Sequence, residues 1–289
     1  MKLARLLGWI PFSVALAVAE TAPSGDGAVA APSEVRSTGV ALRLLADHER
    51  VARGSTFAVG LSLRHDADYH TYWRSPGLVG LPTSIEWNLP EGISAGPLLW
   101  PGPELSRMAQ ITVWGYERDV VLLTEVKVSA DFAGEVIPLR GKVSWMACAK
   151  GCFPGWSELL IEIPVGEARV KAGNSELIAA SREQIPVDLP PDWTFEARRI
   201  REEAGFRVEA RLKGPRELVT KDLVFFCDDY QVNSNLPQHF TSGPKGLEMK
   251  FPVSDFASEN ATRFSGVLYH PDGWPGMKTK WLRVSADYR

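Results

Sequence analysis

The sequence is poor in the side chains that build metal centres. Its 289 residues hold three cysteines and five histidines. His48, His65, His70, His239 and His270 form no H-x-H or H-E-x-x-H pattern, and only two cysteines stand near one another. Neither a dedicated metal site nor a cofactor is expected from these residues. Charge of one sign is also missing: 32 Lys and Arg against 35 Asp and Glu give a net charge of -3. No basic run is interleaved with aromatics, which argues against nucleic acid as a partner. After residue 18 no apolar run is long enough to span a bilayer. There is no G-x-S-x-G elbow, no P-loop and no G-x-G-x-x-G, so hydrolase and nucleotide-dependent chemistries have no starting point.

The most informative stretch is residues 142–165, KVSWMACAKGCFPGWSELLIEIPV. Cys148 and Cys152 flank Ala149, Lys150 and Gly151, between two segments rich in β-branched and aromatic residues, which predicts a hairpin with one cysteine on each arm. Residues flanking such a loop lie ~4.5 to 5.5 Å apart at Cα, within reach of a disulfide, and Gly151 suits a left-handed position at the end of the turn. Closing so short a loop stabilises the fold by only about 2 kcal/mol on the chain-entropy model. An exchanging dithiol is therefore the favoured reading, with an inert clip as its alternative. Lys150 either favours a thiolate by its charge or is simply solvated.

The N-terminus has the pattern of an export signal. Lys2 and Arg5 precede a mostly apolar stretch over 6–18, and small residues at 17–19 offer a cleavage site after Ala19. Residues 20–38, rich in Ala, Gly, Pro and Ser, are expected to form a disordered tether. Export to an oxidising compartment permits a disulfide and leaves Cys227 as the odd thiol, expected as a buried small residue behind Leu223, Val224, Phe225 and Phe226.

From Gly39 onward short strand-like segments recur between Gly- and Pro-rich turns, with no long helical period, which predicts a β-sandwich over 39–169. Alternate aromatics in residues 68–77 either pack a core or shield a reactive sulfur pair. Residues 101–110, PGPELSRMAQ, are expected as a loop that hides Leu105 and Met108. A helix capped by Asn174 or Ser175 and a stiff Pro-rich linker (186–192) fill residues 170–191. Residues 192–289 repeat the strand habit as a second, smaller β-sandwich. The fold class is all-β with a short linking helix.

Four segments carry a resemblance to a known family: TYWRSPGLVGLP (71–82), LLWPGPE (98–104), VWGYERDVVLLTEV (113–126) and WMACAKGCFPGWSELLIEIPV (145–165). Together they resemble the N-terminal periplasmic region of the DsbD family of thiol:disulfide interchange proteins, and its ScsB branch in particular. The resemblance implies an immunoglobulin-like first domain in which Cys148 and Cys152 exchange between dithiol and disulfide. It further implies a cap around Glu104, Leu105 and Met108, and a site lined by Tyr72, Trp73 and Tyr116. No cofactor is implied. The implied partners are periplasmic thiol oxidoreductases and a membrane-embedded or thioredoxin-like reductant. Members usually continue into transmembrane and thioredoxin-like domains; with neither present here, the reductant is expected to act in trans. Two other readings remain open at this point. One is a secreted binding or scaffold module with a structural disulfide; the other is a Cu(I)-binding protein, prompted by that branch's link to copper tolerance.

Overall fold

Alternating burial along single strands sets up the first sandwich. In Val136–Cys148, Ile137, Leu139, Val143, Trp145 and Ala147 turn inward and the residues between them turn out, as a half-buried strand dictates. This strand lies between Cys152–Pro164 and Ser84–Asn88. The facing sheet runs in the order Glu34–Ser37, Val40–Ala46, Thr56–His65, Val120–Val128, Ile93–Ala95. Thr56–His65 is buried on both faces because the helix Ala172–Arg182 covers the outer one, where Ile178 packs on Leu45, Ala58 and Leu123. A third sheet joins Thr71–Gly77, Ile111–Tyr116 and Glu104–Met108. The structure, a computed structural model, describes residues 31–203, 205–214 and 218–289. The expected signal peptide and the tether up to residue 30 lie outside the described residues.

Four local expectations are corrected. The tether does not reach residue 38: Glu34–Ser37 pairs with Val40–Ala46, with Val35 packed on the core and Arg36 ion-paired to Asp66. Residues 101–110 are not a loop throughout. Glu104–Met108 forms a hairpin with Ile111–Tyr116 across a two-residue connection, so the backbone of an aperiodic segment finds its partners in the ladder. The helix begins at Ala172, without a side-chain cap, because Asn174 donates instead to the carbonyl of Ala46 and Ser175 to that of Ala172. Gly151 does not adopt positive φ; the three-residue turn closes with the Ala149 amide donating to the Gly151 carbonyl.

The second sandwich has two four-stranded sheets. One orders Val187–Asp188, Trp281–Asp287, Arg263–Tyr269, Val224–Cys227, and the other Thr194–Glu202, Gly205–Lys213, Gly246–Phe251, His239–Gly243. Phe225, Phe251 and Phe264 fill the space between them, with ring centroids 4.7 to 5.5 Å apart. The Pro-rich linker contributes Val187–Asp188, which pairs in parallel with the C-terminal strand while Arg283 holds the Asp188 carboxylate.

Residues Ala31–Arg289 form one compact unit, and the seam between its sandwiches is apolar at the centre. Phe226 receives Trp73 and Trp114 edge-on, at centroid distances of 6.2 and 5.7 Å. At the margin Arg74 lies over the Trp73 ring and pairs with Asp228 at 2.5 Å. Phe226 is fully buried. Phe226→Ala should cost about 3 to 5 kcal/mol, since it removes packing from both sides of the seam. In urea, followed by tryptophan fluorescence and far-UV circular dichroism, the wild-type halves should unfold in one coincident transition. Two resolved transitions would show that this seam does not couple them.

Candidate functional site

The cysteine hairpin continues its ladder to the end: Cys148 and Cys152 are direct cross-strand partners, 4.2 Å apart at Cα and joined as a disulfide. Their surroundings differ. Cys148 is wholly buried, and its backbone exchanges hydrogen bonds with His70, its amide donating at 2.9 Å and its carbonyl accepting at 3.0 Å. Cys152 is exposed on the outer arm, and the Met108 sulfur lies 3.5 Å from its own. Lys150 is exposed at the tip of the turn.

The cover over the disulfide is the hairpin of Glu104–Met108 and Ile111–Tyr116. Tyr72 and Val113 enclose Cys148 directly, with Val79, Met108, Ile111 and Met146 packed around them. Trp73, Trp114 and Tyr116 belong to the main core instead. Strand alternation explains the division: Tyr72 and Trp73 are adjacent, so their side chains leave opposite faces, and Val113 is likewise set apart from Trp114 and Tyr116. Of the residues singled out from sequence, Tyr72 and Met108 therefore meet the cysteines while Trp73 and Tyr116 support the sheet from behind. Leu105 pairs with Trp114 on the face away from Met108 and is 50 % exposed. Glu104 anchors the base of the cover, its carboxylate accepting from the Glu117 and Arg118 amides and pairing with the Arg118 guanidinium at 2.7 Å. His70, Val79, Ile111, Val113 and Met146 were not anticipated. Alternation is the available signal for Ile111 with Val113 and for His70 with Tyr72, two residues apart on one strand face.

The lining is low in charge. Burial, opposed by the Glu117 carboxylate, holds the His70 imidazole below its ordinary 6.5 and so favours the neutral ring, which meets Tyr72 edge-on at 5.1 Å. Burial pushes the Tyr72 phenol up to about 12. His65 is also held low, mainly by burial; its Nδ1 hydrogen faces the Arg118 carbonyl at 3.0 Å, leaving Nε2 to accept from the Thr71 hydroxyl. The odd thiol, Cys227, is buried, donates to Asp229 at 3.1 Å and is pushed well above the usual thiol range by burial and then by the Asp229 charge. Among the described residues, no three His, Cys, Asp or Glu side chains converge as a metal site.

The immunoglobulin-like first sandwich thus carries an unevenly exposed hairpin disulfide beneath an apolar cover, an arrangement compatible with a thiol:disulfide interchange domain. Residues 41–162 match the family described as "Thiol:disulfide interchange protein DsbD, N-terminal". No curated protein matches the sequence. Among solved structures, the N-terminal periplasmic domain of ScsB from Proteus mirabilis aligns with 88% of this chain and 96% of its own, at 16% identity and a TM-score of 0.64, a likeness of fold. A conserved domain protein from Bacillus anthracis aligns over 88% of this chain and 87% of its own at 11% identity, with a TM-score of 0.27, too low to inform the fold.

Two outcomes are expected. A Cβ at Gly151 would meet only the Phe153 ring, at 3.5 Å, whereas one at Gly155 would fall 2.4 Å from the Trp145 indole. Gly151→Ala should thus change stability by no more than about 0.5 kcal/mol and Gly155→Ala by several times that, measured by urea denaturation. For pH, His65 and His70 are both depressed in the fold, so the unfolded chain takes up protons first as pH falls. Stability should be full above about pH 6.5 and be lost as pH drops from there through the lowered folded values. Urea midpoints at about pH 7.5 and pH 5 check this, and a His70→Gln variant should show a shallower loss.

Proposed function

We propose that the Cys148–Cys152 pair relays electrons between partner thiol proteins, cycling between disulfide and dithiol. The observation that carries this reading is the inequality of the two cysteines: Cys152 lies at the surface with its sulfur against the Met108 thioether, and Cys148 is sealed within the fold. A partner thiolate would attack Cys152, forming a mixed disulfide and breaking the Cys148–Cys152 bond. The departing Cys148 sulfur takes up a proton, since an unpaired charge among Tyr72, Val113 and Met108 would be costly. The partner's second thiolate then attacks the partner's own bridged sulfur, releasing Cys152 and leaving the partner oxidised. Two electrons have passed to the pair, Cys148 and Cys152 taking their protons from solvent, and the reverse sequence hands the electrons on.

In this reading Tyr72, Met108 and the Glu104-anchored hairpin form the cap. Phe153, 39 % exposed, and Leu81, 59 % exposed, offer apolar landing sites for a protein partner. The partners are a membrane-embedded or thioredoxin-like reductant on one side and thiol oxidoreductases on the other, in the periplasm. The family match over 41–162 supports this assignment, and the periplasmic setting of the Proteus mirabilis domain accords with it. No helix among the described residues is long and apolar enough to cross a membrane.

The decisive quantity is the reduction potential of the pair, measured by thiol trapping in glutathione or dithiothreitol buffers with Cys227→Ser in place. A value within roughly -120 to -270 mV, the range of exchange proteins, is expected. A value below about -300 mV, or reduction only on unfolding, would make the bridge a structural clip. Single substitutions should separate the sulfurs: Cys148→Ser leaves an exposed thiol that forms mixed disulfides readily, while Cys152→Ser leaves a buried one that reacts slowly. Each should cost no more than about 2 kcal/mol of stability, given the short loop.

A further inference from the structure

The cap hairpin is held by two side chains from the second sandwich. Thr71–Gly77 and Ile111–Tyr116 pair at Thr71 with Tyr116, at Tyr72 with Gly115 and, after an irregularity, at Gly77 with Val113. The next rung would join Leu78 to Thr112, but the Ser234 hydroxyl stands between them. It accepts from the Leu78 amide at 3.2 Å and donates to the Thr112 carbonyl at 2.7 Å. The Thr112 amide donates to the Asn235 side-chain oxygen at 3.0 Å. Both backbone groups of Thr112 are thus satisfied from the other half of the chain. Gly77, at φ +89°, makes room: a Cβ there would lie 2.5 Å from the Ser234 oxygen.

The position of this contact gives it its meaning. Thr112 lies between Ile111 and Val113, which pack around Cys148, and Ile111 is the cross-strand partner of Met108, the residue beside Cys152. Glu104 fixes the base of the hairpin, whereas Ser234 and Asn235 fix the end that lies over the sulfurs. Their own segment is secured independently: the Asn233 amide donates to the Pro252 carbonyl, Val232 bridges Val253, and the Asn233 side chain accepts from the Asn235 amide.

We infer that Ser234 and Asn235 are positioning residues that latch the cap closed, so that the second sandwich sets how often the Cys148–Cys152 pair is exposed for exchange. The inference rests on the relay reading above. Cys152 is at the surface, but its sulfur lies against Met108 and the bridged Cys148 is covered by the same hairpin. Lifting the Met108 end frees the disulfide for attack, and lifting it breaks the hydrogen bonds at Thr112. Each bond held only in the closed state lowers the open population and the exchange rate in proportion.

The experiment is the rate of reduction of the folded protein's disulfide by dithiothreitol, in a Cys227→Ser background, for Asn235→Ala, Ser234→Ala, Asn235→Asp and Ser254→Ala. Loss of one latch bond should raise the rate roughly fivefold for Asn235→Ala, and more for Ser234→Ala, which loses two. Asn235→Asp keeps an acceptor for the Thr112 amide and should hold the wild-type rate. Ser254→Ala serves as the control for general loosening, since its hydroxyl accepts from the Phe256 amide within the second sandwich. It should lower stability without raising the rate. Equal rates for Asn235→Ala and wild type, or the same acceleration in Ser254→Ala, would overturn the latch. If the wild-type disulfide is not reduced without unfolding, the relay reading itself fails, which is a separate result.

Discussion

The site depends on a β-strand's two-residue period, applied to two strands at once. Tyr72 and Val113 face the disulfide because their neighbours Trp73 and Trp114 face the core. The same residues that shut one sulfur away are therefore held in register by the packing of the residues beside them. Sliding either strand by one position would exchange the two faces, placing indoles over the cysteines and opening the core. Protection of Cys148 and stability of the sandwich are thus enforced by one alignment.

This coupling runs past the first sandwich. Trp73 and Trp114 meet Phe226, which precedes the buried Cys227, while Arg74 reaches Asp228. The second sandwich is accordingly wedged behind the cap sheet at its core and grips its edge at Thr112. An apolar wedge resists separation without direction, and the hydrogen bonds at the edge fix the angle at which the hairpin lies over the sulfurs.

Much of this was legible in the sequence. The cysteine hairpin, the strand-rich halves and the helix between them follow from local pattern, because alternation and turn chemistry are local properties. What escaped depends on partners distant along the chain. Glu104–Met108 has no strand pattern of its own and becomes one by pairing with Ile111–Tyr116. Thr194–Glu202 is rich in charge, and its register comes from Gly205–Lys213. Asn174 had the side chain of a helix cap but was claimed by the carbonyl of Ala46. The family resemblance implies one lining of Tyr72, Trp73 and Tyr116, although alternation itself assigns Tyr72 to the face opposite Trp73 and Tyr116.

The rung supplied by Ser234 differs in kind from those around it. A ladder bond between two backbones is open to every amino acid but proline and survives most substitutions, whereas a hydroxyl inserted between strands exists only while one side chain supplies it. This corner of the sheet is therefore open to gradual adjustment by descent. Changes at Ser234, Asn235 or Gly77 can alter the closure of the cap while leaving the cysteines and their hairpin untouched. Related chains could then differ in how readily they exchange while keeping an identical redox motif.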